Sequence, residues 1–201
     1  MARRNLIDTM YDVIMLPFEK TLLRTYREKF ISRAYGEVLE IGAGTGANLP
    51  FYNMNNIQHV TMTSYESSEK LIEKIKEKKW DAQISYKICD VMNLPFKDNV
   101  FDTVVFTLVF CTVSDVEKGL KEIRRVLKAE GRIVFIEHVQ PNNQFQGKLT
   151  NILTPAWKQI AGGCHLDRRT RENIEDAGFR VVEIDSNGNG LFIAGIAEKS
   201  D

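Results

Sequence analysis

Cysteine is scarce in this sequence, and its charges balance. The 201 residues include three cysteines, Cys89, Cys111 and Cys164, none of which forms a CxxC pair. An odd, widely spaced set excludes a disulfide framework and a cysteine-based metal motif, and it is typical of a reducing, intracellular setting. Lys and Arg together number 27, as do Asp and Glu. Without a basic excess, binding to nucleic acid is not expected.

Long apolar runs are also missing. No run reaches the ~18 residues that a membrane-spanning helix needs, and the N-terminus lacks the apolar core of a secretory signal. We therefore expect a soluble, cytoplasmic protein without a bound metal. Hydrophobic residues make up 43% of the chain, and its length fits one α/β domain or a domain with a small addition.

Strands and helices are predicted to alternate along the chain, as the spacing of apolar residues indicates. A glycine-rich link at residues 186–190 allows a hairpin. The pattern predicts an α/β fold with a seven-stranded, mostly parallel sheet, helices on both faces and an antiparallel last strand. The expected strands are Val38–Ile41, Val60–Tyr65, Ile84–Ile88, Phe101–Phe110, Arg132–Glu137, Phe179–Asp185 and Leu191–Ala197.

Several helix boundaries are predicted from local signals. Ala47–Tyr52 is expected to begin a helix that Pro50 keeps short, and Glu69–Lys79 is expected to form an amphipathic helix. The run Ser114–Glu117 predicts a capping box at the start of another helix. Asp167 is predicted to cap a further helix, which Gly178 ends.

The N-terminal region has its own pattern. Residues 5–30 carry apolar side chains at helical spacing, and Pro17 is expected to divide them into two helices. We assign residues 1–35 to an N-terminal helical cover and residues 36–201 to the main domain. The cover either packs on the domain or forms an interfacial helix that touches a membrane or an apolar substrate.

The segment Val38–Gly46 is the most informative part of the chain. Its apolar run leads directly into Gly42, Gly44 and Gly46. Glycine permits a sharp turn and a close approach of ligand to backbone. A strand that ends in such a loop before a helix presents free N–H groups to a ligand. The segment therefore predicts a nucleotide-binding site.

The glycine spacing and three acids indicate which nucleotide binds. The G-x-G-x-G spacing differs from the dinucleotide fingerprint, and the Gly-Lys-Ser/Thr of a phosphate loop is absent. Glu40 precedes the loop, where a carboxylate opposes a pyrophosphate but suits an ammonium group. Glu66 and Asp90 follow the next two strands, where acids can hold a ribose and an adenine amino group. S-adenosylmethionine carries all three groups and no phosphate.

These motifs resemble those of class I S-adenosylmethionine-dependent methyltransferases. Glu40–Gly46 matches the first motif of that superfamily, Asp90–Phe96 resembles its adenine motif, and Glu122–Lys128 resembles the helix that leads to strand five. The resemblance implies a Rossmann-like fold and S-adenosylmethionine as cofactor. The residues that it implies for the cofactor site are Tyr11, Glu40, Gly42, Ala43, Gly44, Gly46, Asn48, Glu66, Ser67, Asp90, Val91 and Thr107.

A narrower resemblance is to the methyltransferase-like thiol methyltransferase family and its bacterial relatives. It rests on Gly44–Asn48 with Phe51–Tyr52, Thr107–Val113, Glu137–Val139, and Pro155–Trp157 with Gly163–Leu166. Animal members are membrane-associated and methylate small alkyl thiols, and the bacterial relatives include phospholipid N-methyltransferases and quinone-biosynthesis C-methyltransferases. The resemblance implies a thiol acceptor, with peripheral membrane contact through the N-terminal helices.

An apolar helical stripe within residues 147–165 predicts the acceptor site. We expect residues 141–166 to form a lid over the methyl donor, with Gly162 and Gly163 as its hinge. The alternative is that the stripe packs into the core. The stripe consists of Leu149, Ile152, Leu153, Ala156, Trp157 and Ile160, and the expected acceptor pocket is lined by Phe110, Phe145, Trp157 and Ile160, with Cys164 nearby.

His138 and His165 are the candidate general bases, since an imidazole with its ordinary pKa of ~6.5 suits that task. The sequence shows no strong acid–base pair, which favours a sulfur or amine acceptor. A thiol with a pKa of ~8.5 is already partly ionised at neutral pH. Cys111 is expected to be a buried small hydrophobe.

The sequence thus predicts methyl transfer to a small apolar acceptor, with a thiol preferred. An amine or phospholipid headgroup and a quinone-type carbon are the alternatives. Two other classes of function remain: a module that binds S-adenosylmethionine without turnover, and a nicotinamide-dependent oxidoreductase. A thermal-shift assay with S-adenosylmethionine and with NAD distinguishes them. The methyl donor should raise the melting temperature of a methyltransferase or a binding module, and NAD should raise that of an oxidoreductase. The sequence gives no prediction of the oligomeric state.

Overall fold

The computed structural model describes residues 19–77, 83–141, 150, 152–155, 157–158, 163–187 and 190–200. Tyr11, Pro17, Phe145 and Ile160 lie outside these residues. So do the first 18 residues of the predicted N-terminal cover and parts of the predicted lid.

Seven strands form one sheet, in the order β3-β2-β1-β4-β5-β7-β6. The pairings from β3 through β5 are parallel, whereas β7 runs antiparallel to both β5 and β6. The predicted fold class is therefore confirmed. The strands are β1 Gly36–Ile41, β2 Ile57–Ser64, β3 Gln83–Ile88, β4 Phe101–Thr107, β5 Leu127–His138, β6 Phe179–Ser186 and β7 Phe192–Lys199.

Helices cover both faces of the sheet. They include α1 Arg24–Phe30, α2 Glu69–Glu77, α3 Val116–Val126 and α4 Thr170–Asp176. Residues from α1 and α2 join one hydrophobic cluster, and residues from α3 and α4 join a second cluster. These two clusters are the apolar layers on either side of the sheet.

The central strand β4 illustrates why the chain folds this way. Val104, Val105 and Phe106 are fully buried although they point alternately to opposite faces. A parallel strand with helices on both sides excludes water from both of its faces, so it carries a continuous apolar run. The structure confirms that expectation for β4.

The helix α1 anchors the described part of the N-terminal region. It packs against β5 and β7, and its apolar face contributes Tyr26 and Phe30 to the core. On its exposed side, the Lys29 ammonium lies 3.0 Å from Asp185 of β6. Among the residues that the structure describes, no helix combines the length and apolarity needed to cross a bilayer.

Several predicted boundaries were wrong. β4 ends at Thr107 rather than Phe110, because Leu108 has a φ of +55° and turns the backbone out of the strand. The predicted helix in Ala47–Tyr52 is only the 3₁₀ turn Leu49–Phe51. β5 begins at Leu127, well before the predicted start at Arg132.

Two predicted caps were also wrong. The side chain of Asp115, not that of Ser114, caps α3 by accepting a hydrogen bond from the Lys118 N–H at 3.0 Å. The N-cap position of α4 is occupied by Arg169 rather than Asp167. Gly178 follows the end of α4 with a φ of +83°, as predicted for a glycine that stops a helix.

Candidate active site

The glycine loop after β1 has the backbone that its sequence predicts. Gly42, Gly44 and Gly46 have φ values of +65°, +55° and +74°. A Cβ at Gly42 would lie 2.6 Å from Val109, and one at Gly46 would lie 2.9 Å from Leu49. Among the residues that the structure describes, a Cβ at Gly44 would meet only the Gly42 carbonyl, at 3.9 Å. The loop is therefore packed at its two ends and faces open space at its centre.

Hydrogen bonds fix this loop on the sheet edge. The Ala43 N–H donates to the Thr63 carbonyl at 2.8 Å, and the Gly46 N–H donates to the Ala43 carbonyl at 2.8 Å. From α2, the Lys74 ammonium donates to the Thr45 carbonyl at 2.7 Å. The loop is thus held in place by protein contacts before any ligand binds, which reduces the ordering cost of binding.

The Glu40 carboxyl lies buried beneath the loop. One of its oxygens accepts a hydrogen bond from the Asn48 amide at 2.9 Å, and the other accepts one from the Tyr52 hydroxyl at 2.8 Å. Burial raises the pKa of Glu40 to about 7, while the two hydrogen bonds and the charge of Arg27 oppose that rise. The carboxyl is therefore a bridge between protein groups, and its expected contact with an ammonium group stays a prediction.

Asn48 connects three elements at this position. Its Oδ1 accepts a hydrogen bond from the buried Arg27 guanidinium of α1 at 2.9 Å. Its Nδ2 donates both to Glu40 of β1 and to Thr107 of β4, the latter at 3.1 Å. The sequence did not identify Arg27 or Tyr52 as part of this network. In the sequence, the signal for Arg27 was its position as a charged residue among the apolar residues of α1.

A cavity of about 440 Å³ opens beside the glycine loop. It lies where β1, β2, β3 and β4 end, which is where ligands bind in open α/β sheets. The volume is within the ~300–1,000 Å³ range of small-molecule sites. Its lining combines hydroxyl groups, one carboxylate and apolar side chains: Ile41, Gly42, Thr63, Ser64, Tyr65, Cys89, Asp90, Val91, Met92, Leu108, Val109, Thr112, Val113 and Ser114.

Of the other two predicted acids, Asp90 lines the cavity and Glu66 lies in an exposed turn. The Oδ1 of Asp90 accepts a hydrogen bond from the Met92 N–H at 2.8 Å. Glu66 and Ser67 are exposed in the turn after β2. Tyr65 precedes them in this turn and lines the cavity. The Tyr86 hydroxyl donates to the Glu66 carbonyl at 3.0 Å and thereby holds the turn.

A second buried carboxyl, which the sequence did not identify, supports the opposite wall. Oε1 of Glu137, at the end of β5, accepts hydrogen bonds from the N–H groups of Val109 at 2.8 Å and Phe110 at 3.1 Å. Its Oε2 has no hydrogen-bond partner among the described residues. Burial raises the pKa of Glu137 to about 8. Its position after a buried apolar run and its place within the motif Glu137–Val139 were the signals in the sequence for it.

The two candidate bases lie outside the lining of this cavity. His138 packs edge-on against Phe192 with ring centroids 5.3 Å apart, and burial lowers its pKa to about 4. The His165 ring lies 3.4 Å from the Asp167 carboxylate, and burial lowers its pKa despite that acid. Both imidazoles are therefore neutral at pH 7, and their catalytic role stays a prediction.

The described residues of the predicted acceptor pocket lie in different surroundings, and their contact with an acceptor stays a prediction. Phe110 lies in the core, where its ring packs against Phe106 at 4.8 Å, rather than on a pocket wall. Trp157 packs against the buried thiols of Cys111 and Cys164. Ile152, expected to face inward, is 74% exposed. Residues 152–155 are helical and turn Thr154 toward the core instead, where its hydroxyl donates to the Thr150 carbonyl and so tolerates burial.

Comparisons with known proteins agree with this geometry. Residues 39–135 match the family described as methyltransferase domain. Thiol S-methyltransferase TMT1B of Rattus norvegicus is 36% identical over 151 residues, which cover 74% of this chain and 62% of that protein. Demethylmenaquinone methyltransferase of Thermotoga maritima is 33% identical over 128 residues, covering 63% of this chain and 55% of that protein. The chain thus spans less than two thirds of the length of these curated relatives.

A solved structure shares the fold. It is the geranyl diphosphate C-methyltransferase of Streptomyces coelicolor A3(2), in complex with Mg²⁺, geranyl diphosphate and S-adenosyl-L-homocysteine. The similarity has a TM-score of 0.71 at 14% identity and covers 90% of this chain and 80% of that chain. At this identity the likeness shows the fold alone.

Proposed function

We propose that this chain, whose residues 39–135 match the methyltransferase domain family, transfers the methyl group of S-adenosylmethionine to a small apolar thiol. The acceptor class follows the rat relative, whose name states thiol S-methylation.

The observation that carries the proposal is the open centre of the glycine loop beside the cavity. The backbone at Gly44 has room for a ligand where a side chain would otherwise stand. Gly42 and Asp90 line the adjoining cavity of about 440 Å³. These groups fit S-adenosylmethionine, because the glycine loop can bind its methionine end and the Asp90 carboxylate can bind its adenine amino group. The remaining polar wall, formed by Ser64 and Thr112 among others, offers hydroxyl partners for a nucleoside.

The reaction needs alignment more than proton transfer. S-adenosylmethionine supplies a methyl group that is already activated on a sulfonium sulfur. The protein has to hold the acceptor in line and exclude water, and such positioning contributes ~7–11 kcal/mol. Apolar side chains on the cavity wall, such as Met92, Leu108 and Val109, suit that exclusion.

A thiol acceptor also agrees with the composition of the cavity wall. Histidine is not among the described residues that line it. A thiol with a pKa of ~8.5 is a few per cent ionised at neutral pH and does not require a dedicated base. A quinone-type carbon, as in the name of the Thermotoga relative, and a lipid amine are the alternative acceptors.

The location of the protein belongs to the same proposal. We propose a cytoplasmic protein in which residues 1–35 form a helical cover that contacts a membrane surface. The apolar residues at helical spacing in residues 5–30 support this assignment. Binding of the purified chain to sedimented vesicles, compared with a chain that begins at residue 19, tests it.

Incubation with methyl-labelled S-adenosylmethionine and a panel of acceptors tests the function. The panel contains a small alkyl thiol, phosphatidylethanolamine vesicles and a demethylated quinone. We expect the label on the thiol. Label found only in the lipid or only in the quinone would show that this compound, and not a thiol, is the acceptor. Binding of the methyl donor without transfer to any acceptor would indicate a binding module instead.

A further inference from the structure

Two cysteines from distant parts of the chain meet beside the cavity. Cys111 lies in the loop after β4, next to the cavity-lining residue Thr112. Cys164 lies in the segment that leads to α4. The two residues are 1% and 4% exposed, and together with Trp157 they form a separate buried cluster. The Cys111 thiol donates to the Leu108 carbonyl at 3.6 Å, and its sulfur packs against Cys164 within this cluster.

Hydrogen bonds around this pair already hold the two segments together. The His165 N–H donates to the Cys111 carbonyl at 2.8 Å, and the Arg168 guanidinium donates to the Val113 carbonyl at 2.6 Å. The Gln140 N–H, which follows β5, donates to the Arg168 carbonyl at 2.9 Å. These hydrogen bonds keep the backbone segments that carry the two cysteines close together.

The environments of the two thiols differ in a way that assigns them different roles. The neighbouring Cys111 thiol and the charge of Arg168 favour a negative sulfur at Cys164 and lower its pKa, although burial and Asp167 oppose this change. The pKa of Cys111 is raised because its thiol adjoins the Cys164 sulfur, because it is buried and because Glu137 lies near it. Cys164 is the better nucleophile of the two at neutral pH, since the thiolate is the reactive form.

We propose that Cys111 and Cys164 form a redox modification site, in which hydrogen peroxide converts the two thiols into a disulfide between the cavity loop and the segment before α4. The small size of this oxidant suits a pair that is almost fully buried. Neither the methyl-transfer proposal nor the known names of the relatives assigns a role to this pair.

The chemistry proceeds in two steps. The Cys164 thiolate attacks one peroxide oxygen, the O–O bond breaks, and the departing hydroxide takes up a proton to become water. Cys164 is then a sulfenic acid. The Cys111 sulfur attacks the Cys164 sulfur, the S–O bond breaks, and the hydroxyl leaves as water with the Cys111 proton. Two thiols are oxidised and one peroxide is reduced to two waters.

Formation of this bond would constrain the wall of the cavity. Cys111 lies within the stretch Leu108–Ser114, most of which lines the cavity. A covalent link to Cys164 restricts the movement of that stretch. We therefore expect the oxidised protein to bind S-adenosylhomocysteine with an affinity that differs at least threefold from that of the reduced protein.

The test uses the reduced 201-residue chain without any methyl donor. After removal of reductant and exposure to increasing hydrogen peroxide, free thiols are counted in denaturant, and a non-reducing peptide map locates any cross-link. We expect the count to fall from three to one, with Cys111 linked to Cys164. Cys89 is expected to stay free, because it is half-buried with a pKa raised by burial. Reductant should restore all three thiols.

Matched variants distinguish a specific disulfide between Cys111 and Cys164 from nonspecific oxidation of the cysteines. Cys89→Ala should still form the cross-link, whereas Cys111→Ala and Cys164→Ala should form no cross-link within the chain. Three free thiols after peroxide treatment, a cross-link that involves Cys89, or over-oxidation of Cys164 without a disulfide would each overturn the proposal. The wild-type peptide map alone decides the matter if a variant fails to fold. Because this readout needs no ligand, its outcome is independent of the methyl-transfer proposal.

Discussion

The buried carboxyl of Glu137 accepts a hydrogen bond from the backbone N–H of Val109 at 2.8 Å. Val109 lines the cavity, while Glu137 lies on the neighbouring strand and is fully buried. The same oxygen also binds the Phe110 N–H. This contact gives the loop after β4 its shape, since the loop has just left the strand through the positive φ of Leu108. The wall of the candidate site thus depends on one carboxyl outside it.

Replacing Glu137 with Ala should destabilise the protein. The substitution leaves two backbone N–H groups without their acceptor, and an unsatisfied buried donor costs about 1–3 kcal/mol. Glu137→Gln keeps an amide oxygen in the same place and should lose less than half as much. Urea unfolding monitored by circular dichroism measures both. Equal losses for Ala and Gln would contradict the assigned role of the oxygen.

The pH dependence of stability should also report on Glu137. Its pKa is about 8 in the folded protein and has an ordinary value of 4.5, so the folded state holds the proton more tightly than the unfolded chain. This contribution is complete below about pH 4.5 and is lost as the pH rises toward 8. Glu40, with a pKa of about 7, acts in the same direction. His138, with a pKa lowered to about 4, acts in the opposite direction below pH 6.5.

Comparison of wild type with Glu137→Gln isolates one of these groups. Between pH 5.5 and 7, the wild-type free energy of unfolding should fall more steeply with pH than that of the variant, by up to about 1.4 kcal/mol per pH unit. Urea unfolding at four pH values in this window gives both slopes. Parallel slopes would show that Glu137 is ionised in the folded protein.

The open space at Gly44 predicts a variant that folds but binds poorly. Gly44→Ala places a methyl group where the methionine end of the ligand is expected, whereas Gly163→Ala, at a φ of +92°, places one where no described residue lies within 4 Å. Both variants carry the left-handed backbone strain of ~1–2 kcal/mol. In thermal-shift titrations, S-adenosylhomocysteine should bind Gly44→Ala at least roughly tenfold more weakly, a difference of about 1.4 kcal/mol. Gly163→Ala should keep wild-type affinity, and an equal effect of both variants would contradict the loop assignment.

Glu66 gives a sharper test of the predicted ribose contact, because the structure shows it exposed beside the cavity. Glu66→Ala should weaken S-adenosylhomocysteine binding by about 1–3 kcal/mol, the loss expected for a charge-assisted hydrogen bond, with little change in stability. Glu69→Ala, an exposed acid three residues further along, is the matched control and should leave affinity unchanged. If the Glu66 variant also binds normally, another group holds the ribose.

Features that depend on short local patterns were predictable from the sequence. The run Val38–Gly46 predicted the first strand and its loop correctly. An apolar strand and a glycine-rich turn depend on residues that are neighbours in the sequence. The burial of β4 followed from its continuous apolar run. Asp90 was found because acids after parallel strands meet at one sheet edge.

Features that depend on distant partners were not predictable. The contact from Glu137 to Val109 joins residues 28 apart, and the Arg27 to Asn48 bond joins residues 21 apart. The stripe that contains Ile152 predicted an inward face, but helical periodicity does not show which side the rest of the protein covers. A cap at Asp115 rather than Ser114 depends on where the loop before α3 enters the helix.

Isothermal titration calorimetry of the purified, reduced chain with S-adenosylhomocysteine tests the central claim most directly. The account predicts saturable binding at one site per chain, and the heat should disappear in Gly44→Ala but persist in Gly163→Ala. A folded, monodisperse wild-type protein that gives no heat with either S-adenosylhomocysteine or S-adenosylmethionine would contradict it.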